Sequence, residues 1–284
     1  MEHNYNFQKG NKILNSFSIF NDKEIKMDKA LTYFKLALRE FIEKADFVNY
    51  AELSEKIGDE YLKINNNSDA LQYYKNAQKH YLSHDSTKFI DLTINKIIPL
   101  CIEKSDIVAV GKYYYQIAKI CKDEGNQCTK QYFDDALRYL ESEKNSDLYN
   151  CYVDYVIFLI ESNDINLAIH YLEQIMKYID DTPLLIFGVG KYIFLALLCY
   201  LSKGDIVLTK RKLDEYCDKY FRFSDSMQHK LILKLIESYD ECDIDKYSAE
   251  LFEYNQIKKL DKTEVGLCLI INNNISANNE VDLS

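Results

Sequence analysis

The residue types that carry out chemistry in proteins are all in this chain, yet none stands at the spacing its chemistry needs. Eight cysteines occur singly, at 101, 121, 128, 151, 199, 217, 242 and 268. They form no CxxC pair and no Cys/His cluster, so neither a zinc centre nor a thioredoxin-like dithiol is written into the sequence. Most have apolar neighbours and read as small core residues in a reducing compartment. The five histidines, His3, His80, His84, His170 and His229, are scattered, and none sits in a motif that would activate a nucleophile. GVGK, from Gly188 to Lys191, lacks the spacing and the hydroxyl residue of a phosphate-binding loop. No GxSxG, HExxH or EF-hand pattern occurs. The many carboxylates read first as solvated helix faces. The sequence therefore predicts no catalytic residue, no metal, no cofactor and no enzyme.

Charge and hydropathy narrow the partners. The formal net charge is −10, whereas nucleic acid calls for a positive surface, so nucleic-acid binding is disfavoured. The start, MEHNYNF, has neither a positive region nor an apolar core and does not read as a signal peptide. The longest apolar stretch, YIFLALLCYL from Tyr192 to Leu201, is about half a membrane span and reads as a buried helix.

The elements that would position any site are helices. Of 284 residues, 8 are glycine and 2 proline, and 47% are hydrophobic, which points to helices joined by short turns around a sizeable core. Alanine followed three residues later by tyrosine recurs in ALTYFKLAL from Ala30, ALQYYKNAQ from Ala70, ALRYLES from Ala136 and AIHYLEQI from Ala168, with a weaker copy, AVGKYYYQIAKI, from Ala109. The steps of about 30 to 40 residues are those of helical-hairpin repeats. A small Ala lets the neighbouring helix approach, and a large Tyr or Leu fills the space one turn on. Between these segments VNYAELSEKIGDEYLKI, STKFIDLTINKIIPLCI and NSDLYNCYVDYVIFLI carry apolar residues at three and four spacing. Capping residues precede many helices, at Ser68-Asp69, Ser86-Thr87, Ser105-Asp106, Asn163-Asp164, Ser224-Asp225 and Asp243. The expected fold is all-α: about thirteen helices in a right-handed, tetratricopeptide-like solenoid over 1–223. Residues 224–284 should form a helical bundle cap and acidic tail continuous with it, frayed after Asn272.

The C-terminal third resembles the soluble NSF attachment proteins. The resemblance is carried by DTPLL (Asp181 to Leu185), read as opening a long apolar helix, and by FSDS (Phe223 to Ser226) followed by KLILKLIESYDECDIDKY (Lys230 to Tyr247). It continues through EYNQIKKLD (Glu253 to Asp261) to the ending NNEVDLS. It runs nearly without gaps from about residue 165 and more weakly upstream, through KYYYQIAKI (Lys112 to Ile120). Such proteins are non-enzymatic adaptors. Several copies, each a monomer when free, line a SNARE helical bundle with a basic concave face and recruit the hexameric ATPase NSF, which pulls the bundle apart. They are cytoplasmic and peripheral on membranes.

Carried onto this chain, the resemblance implies ATPase-binding residues at Asp205, Glu237, Asp240 and Glu241. The last three, spaced i, i+3, i+4, would share one helix face as a negative patch, which read alone is also a solvated face. Leu283 matches a penultimate leucine needed to stimulate the ATPase, so NNEVDLS reads as a docking element. Lys112 and Lys191 match SNARE-binding lysines. Two other lysine positions hold Asn150 and Asp154, and an arginine position holds Asp106. These changes lower or reverse charge toward an acidic coil. In NSFSIFNDKE, Phe17, Ile19 and Phe20 match a membrane-contacting loop; a staple packed on the first helix is the other reading. Two further functions stay open: a decoy of the same fold that engages SNAREs or NSF without supporting disassembly, and an unrelated helical-repeat protein-binding scaffold.

Overall fold

The computed structural model describes residues 1, 4–16 and 23–282, and among them there are helices and turns but no strand. The chain forms two compact units, Met1–Gly125 and Asn126–Ser284.

In the first unit α1 (Tyr5–Leu14) packs on α2 (Lys23–Glu43), α2 on α3 (Phe47–Lys63), and α3 on α4 (Asn67–His84). A further helix is made of α5 (Ser86–Leu92), a π turn (Thr93–Ile97) and α6 (Ile98–Glu103), and α7 (Ile107–Asp123) packs on α6. The π turn has a local cause. Pro99 has no N–H to give to the preceding turn. Thr93 also turns its hydroxyl back onto the Phe89 carbonyl at 2.6 Å while accepting from buried Gln78 at 2.7 Å.

The alanines are where helices meet: Ala30, Ala70, Ala136 and Ala168 are fully buried. The tyrosines three residues on are only half-buried. The large side chain that fills the core lies four residues on, as Phe34, Tyr74, Leu140 and Leu172. One turn of helix is 3.6 residues, so i+4 follows the alanine onto the inner face more closely than i+3.

Six turns share one construction. Linkers of three residues join α2 to α3, α3 to α4 and α6 to α7. The same length joins α9 (Ser146–Glu161) to α10 (Ile165–Asp180), α11 (Val189–Ser202) to α12 (Ile206–Lys219), and α14 (Met227–Asp240) to α15 (Ile244–Ile257). The middle residue is left-handed each time: Ala45, Asn65, Ser105, Asn163, Gly204 and Cys242. The third is Asp or Asn and is the N-cap of the next helix. In the turn after α2, the Asp46 N–H reaches back to the Phe41 carbonyl at 2.8 Å and the Ala45 N–H to Ile42 at 3.0 Å. This closes the outgoing helix as the Asp46 side chain opens the incoming one by accepting from the Asn49 N–H. The expected start signals thus lay near the right places but often one to three residues off: the caps are Asn66, Asp85 and Ser226, while Asp106, Asp164 and Asp243 match.

In the second unit α8 (Thr129–Leu140) packs on α9 and α9 on α10. A 3-10 turn (Pro183–Gly188) then leads into α11, so DTPLL starts this turn rather than the apolar helix itself. Pro183–Ser202 is long and apolar enough to cross a membrane by composition. Its burial accounts for that composition: Ile193 to Ser202 are all buried, against α10, α12, α14 and α16 (Lys262–Asp282). A short α13 (Phe221–Ser224) links α12 to α14.

The stretch after Asn272 does not fray as expected: α16 continues to Asp282. Ile271 and Ile275, one turn apart, are fully buried, and Asn274 donates to the Ser202 carbonyl at 2.8 Å. The helix opens with a capping box. Glu264 N–H donates to Asp261 at 2.9 Å, and Asp261 N–H donates back to Glu264 at 2.8 Å. All eight cysteines are free thiols, and Cys101, Cys121, Cys151, Cys199 and Cys268 are buried as small core residues.

Candidate functional site: an acidic groove and a cationic cleft

The motif FSDS positions the first site. Phe223 is buried as an anchor, and Ser226 caps α14 by accepting from the His229 N–H at 3.1 Å. From that start, Leu231, Ile232, Leu235, Ile236 and Tyr239 turn inward. Helical geometry leaves Leu233, Glu237, Asp240 and Glu241 on the outer face. The three acidic side chains are 58%, 50% and 51% exposed.

These carboxylates rim a groove of about 620 Å³ whose floor is Leu213, Leu233 and Ile236. Asp214 and Lys210, from α12, complete the rim. Lysines from the flanking helices hold the carboxylates. Lys210 pairs with Asp240; Lys246, in the first turn of α15, lies 2.8 Å from Glu241 and 3.2 Å from Glu237. Hydrogen bonding to Glu241, then to Glu237, raises the Lys246 pKa. A groove of this chemistry attracts cations and offers apolar contact between them.

Asp205, the fourth acidic candidate, is not in the groove lining. It is the N-cap of α12, accepting from the Leu208 N–H at 2.9 Å. Asp106 has the same task at α7, accepting from the Ala109 N–H at 3.3 Å. An arginine at 106 could not accept that bond, so the acidic residue has a local reason there. Asp214 joins the groove without having been singled out by sequence. Its signal was its place four residues after Lys210, on the same face of α12.

Lys191 belongs to a second site of the same unit. It stands in the first turn of α11, 3.3 Å from Asp261, on a cleft of about 600 Å³. Lys219, Arg222 and Lys258 also line the cleft, and no carboxylate does. The Arg222 guanidinium lies 4.9 Å from the Phe187 ring centre and 6.0 Å from that of Phe221, a cation–π arrangement. Phe187 and Phe221 are 78% and 73% exposed, and Leu184, three residues before Phe187 in the 3-10 turn, 90%. The cleft combines cations with protruding apolar side chains, and sequence reading found only Lys191 of it.

Lys112 is exposed in the first turns of α7, in the first unit. Asn150 and Asp154 lie one turn apart on α9. Phe17, Ile19, Phe20 and Leu283 lie outside the described residues. Among the described residues no cluster of His, Cys, Asp and Glu could hold a metal ion.

Relatives share most of the chain's length. Alpha-soluble NSF attachment protein of Mus musculus is 26% identical over 223 residues, covering 78% of this chain and 75% of its own. The alpha-soluble NSF attachment protein of Vitis vinifera is 26% identical over 270 residues, covering 89% and 93%. A probable vesicular-fusion protein sec17 homolog of Schizosaccharomyces pombe is 23% identical, covering 78% and 77%. The family model described as soluble NSF attachment protein, SNAP, matches residues 2–276, and the chain belongs to that family.

Proposed function

We propose that this protein is an adaptor of membrane traffic that binds a SNARE helical bundle and recruits the ATPase NSF to take the bundle apart. Members of this family are attachment proteins, and the chain is not an enzyme. The observation that carries the proposal is the gathering of Glu237, Asp240 and Glu241 around one groove with an apolar floor. Such a groove suits a basic domain of an ATPase, with charge steering the encounter and the floor slowing dissociation. The cleft of Lys191, Lys219, Arg222 and Lys258 suits an acidic coil, whose apolar side chains would cover Phe187 and Phe221. Lys112 would add to the same task. The adaptor works in the cytoplasm, peripheral on membranes, with Phe17, Ile19 and Phe20 touching lipid and several copies acting on one bundle.

A pull-down with NSF tests the groove. Glu237→Lys with Glu241→Lys should lose recruitment, with the difference from the parent largest at low salt and shrinking as salt rises. Leu283→Ala should keep recruitment, because several copies hold one hexamer together, while stimulating the ATPase less. Undiminished recruitment by the charge-reversed protein would overturn the assignment of the groove. The decoy reading draws its support from Asn150 and Asp154, where the family's lysines are missing. It expects binding without disassembly.

A further inference from the structure

Each of the three carboxylates on the outer face of α14 is already held by a lysine from another helix. Lys246 bridges Glu237 and Glu241, and Lys210 holds Asp240. Lys246 is set in place by its backbone. Its N–H donates to the Asp243 cap at 2.9 Å, which fixes where the side chain starts. The two lysines cancel half the charge of Asp214, Glu237, Asp240 and Glu241 around the groove. In the same groove Leu233 is 47% exposed, while Leu213 and Ile236 are buried.

We propose that Lys210 and Lys246 are internal stand-ins for a partner's cations. The groove takes a cationic segment that exchanges its own Arg or Lys for them and lays one apolar side chain on Leu233. The inference rests on the attachment function proposed above and adds how the groove recognises its partner. The exchange is cheap, since the ion pairs are exposed, and such pairs hold weakly. An incoming arginine, with its planar fork, can bond a carboxylate through two N–H groups where lysine offers a point charge. Occupied carboxylates attract stray cations less. A partner gains only if it supplies both the charge and the apolar contact, which is a source of specificity.

The test is the binding kinetics of the full chain on immobilised NSF hexamer. Lys210→Ala with Lys246→Ala should associate about fivefold faster at low salt, the scale of one unscreened contact in water. The gain should vanish near 1 M salt, where screening acts within roughly 3 Å. Lys210→Arg with Lys246→Arg, whose forks hold the carboxylates more firmly, should associate no faster than the parent. Leu233→Ser should dissociate faster. If the double alanine variant binds no faster while Glu237→Gln with Glu241→Gln binds more weakly, the stand-in role is wrong and the attachment function survives. If all these variants bind like the parent, both fall.

Discussion

Gly58 and Gly266 make opposite demands on one substitution. A Cβ on Gly58 of α3 would meet the buried Tyr74 ring at 2.5 Å. That ring cannot retreat freely, because its hydroxyl donates to Asp59 at 2.6 Å and the Lys96 ammonium lies 5.3 Å from its centre. A Cβ on Gly266 of α16 meets nothing within 4 Å. Alanine is favoured over glycine inside a helix by about 1 kcal/mol, whereas overpacking a core costs about 1–3 kcal/mol. Gly58→Ala should therefore destabilise the protein by up to about 2 kcal/mol, and Gly266→Ala should stabilise it by about 1 kcal/mol. Urea denaturation of the two variants checks both signs.

Glu264 gives a second residue-scale test. Burial, the largest influence, raises its pKa above the ordinary carboxylate value. A raised carboxylate pKa in the folded state means that folding takes up a proton. The stability it adds is present below the unfolded carboxylate range and is lost as pH rises through the raised folded value. Glu264→Gln keeps an oxygen to accept the Asp261 N–H and has no charge to bury. It should match or exceed the parent at neutral pH and lose the slope of stability with pH in the window just above the unfolded value. Glu264→Ala should lose about 1 kcal/mol with the cap. A Gln variant less stable than the parent at neutral pH would contradict this account of the burial.

At the scale of elements, what the sequence disclosed follows from periodicity. The buried alanines recur at the step of a helical hairpin, so the hairpins were legible. Most of the six left-handed turn positions were not. Ala45, Ser105 and Cys242 carry no turn signature, and only their hydrogen bonds and the following Asp betray them. A left-handed backbone costs a residue with a Cβ about 1–2 kcal/mol, part of which glycine returns through its freer unfolded chain. Ala45→Gly should raise stability by about 0.5–1 kcal/mol, seen as a higher melting temperature. A fall would mean that the Ala45 methyl makes a contact worth more than the backbone relief. The last helix was illegible for a different reason. Its Asn-rich polar face reads as a tail, and its order comes from the burial of Ile271 and Ile275 and from Asn274 bonding to the end of α11. The acid triad was singled out by the resemblance, and its spacing says only that the three share one helix face. Lys246 and Lys210 could not, because their pairing depends on how three helices pack.

For the whole molecule, the acidic groove and the cationic cleft both belong to the second unit, where the resemblance to the soluble NSF attachment proteins is strongest. Division of labour between the two surfaces is the core of the proposed function: one for the coil to be opened, the other for the motor that opens it. In the proposed function the departures at Asn150 and Asp154 would bear on the coil side, while the groove proposed for the motor keeps its acidic residues. The most direct measurement is reconstituted disassembly of a fluorescently labelled SNARE bundle by NSF and ATP, with this protein as the only adaptor. The account predicts ATP-dependent loss of the bundle that rises with adaptor concentration and is abolished by Glu237→Lys with Glu241→Lys. A protein that binds both partners and leaves the bundle intact, or slows its disassembly by another adaptor, would contradict it.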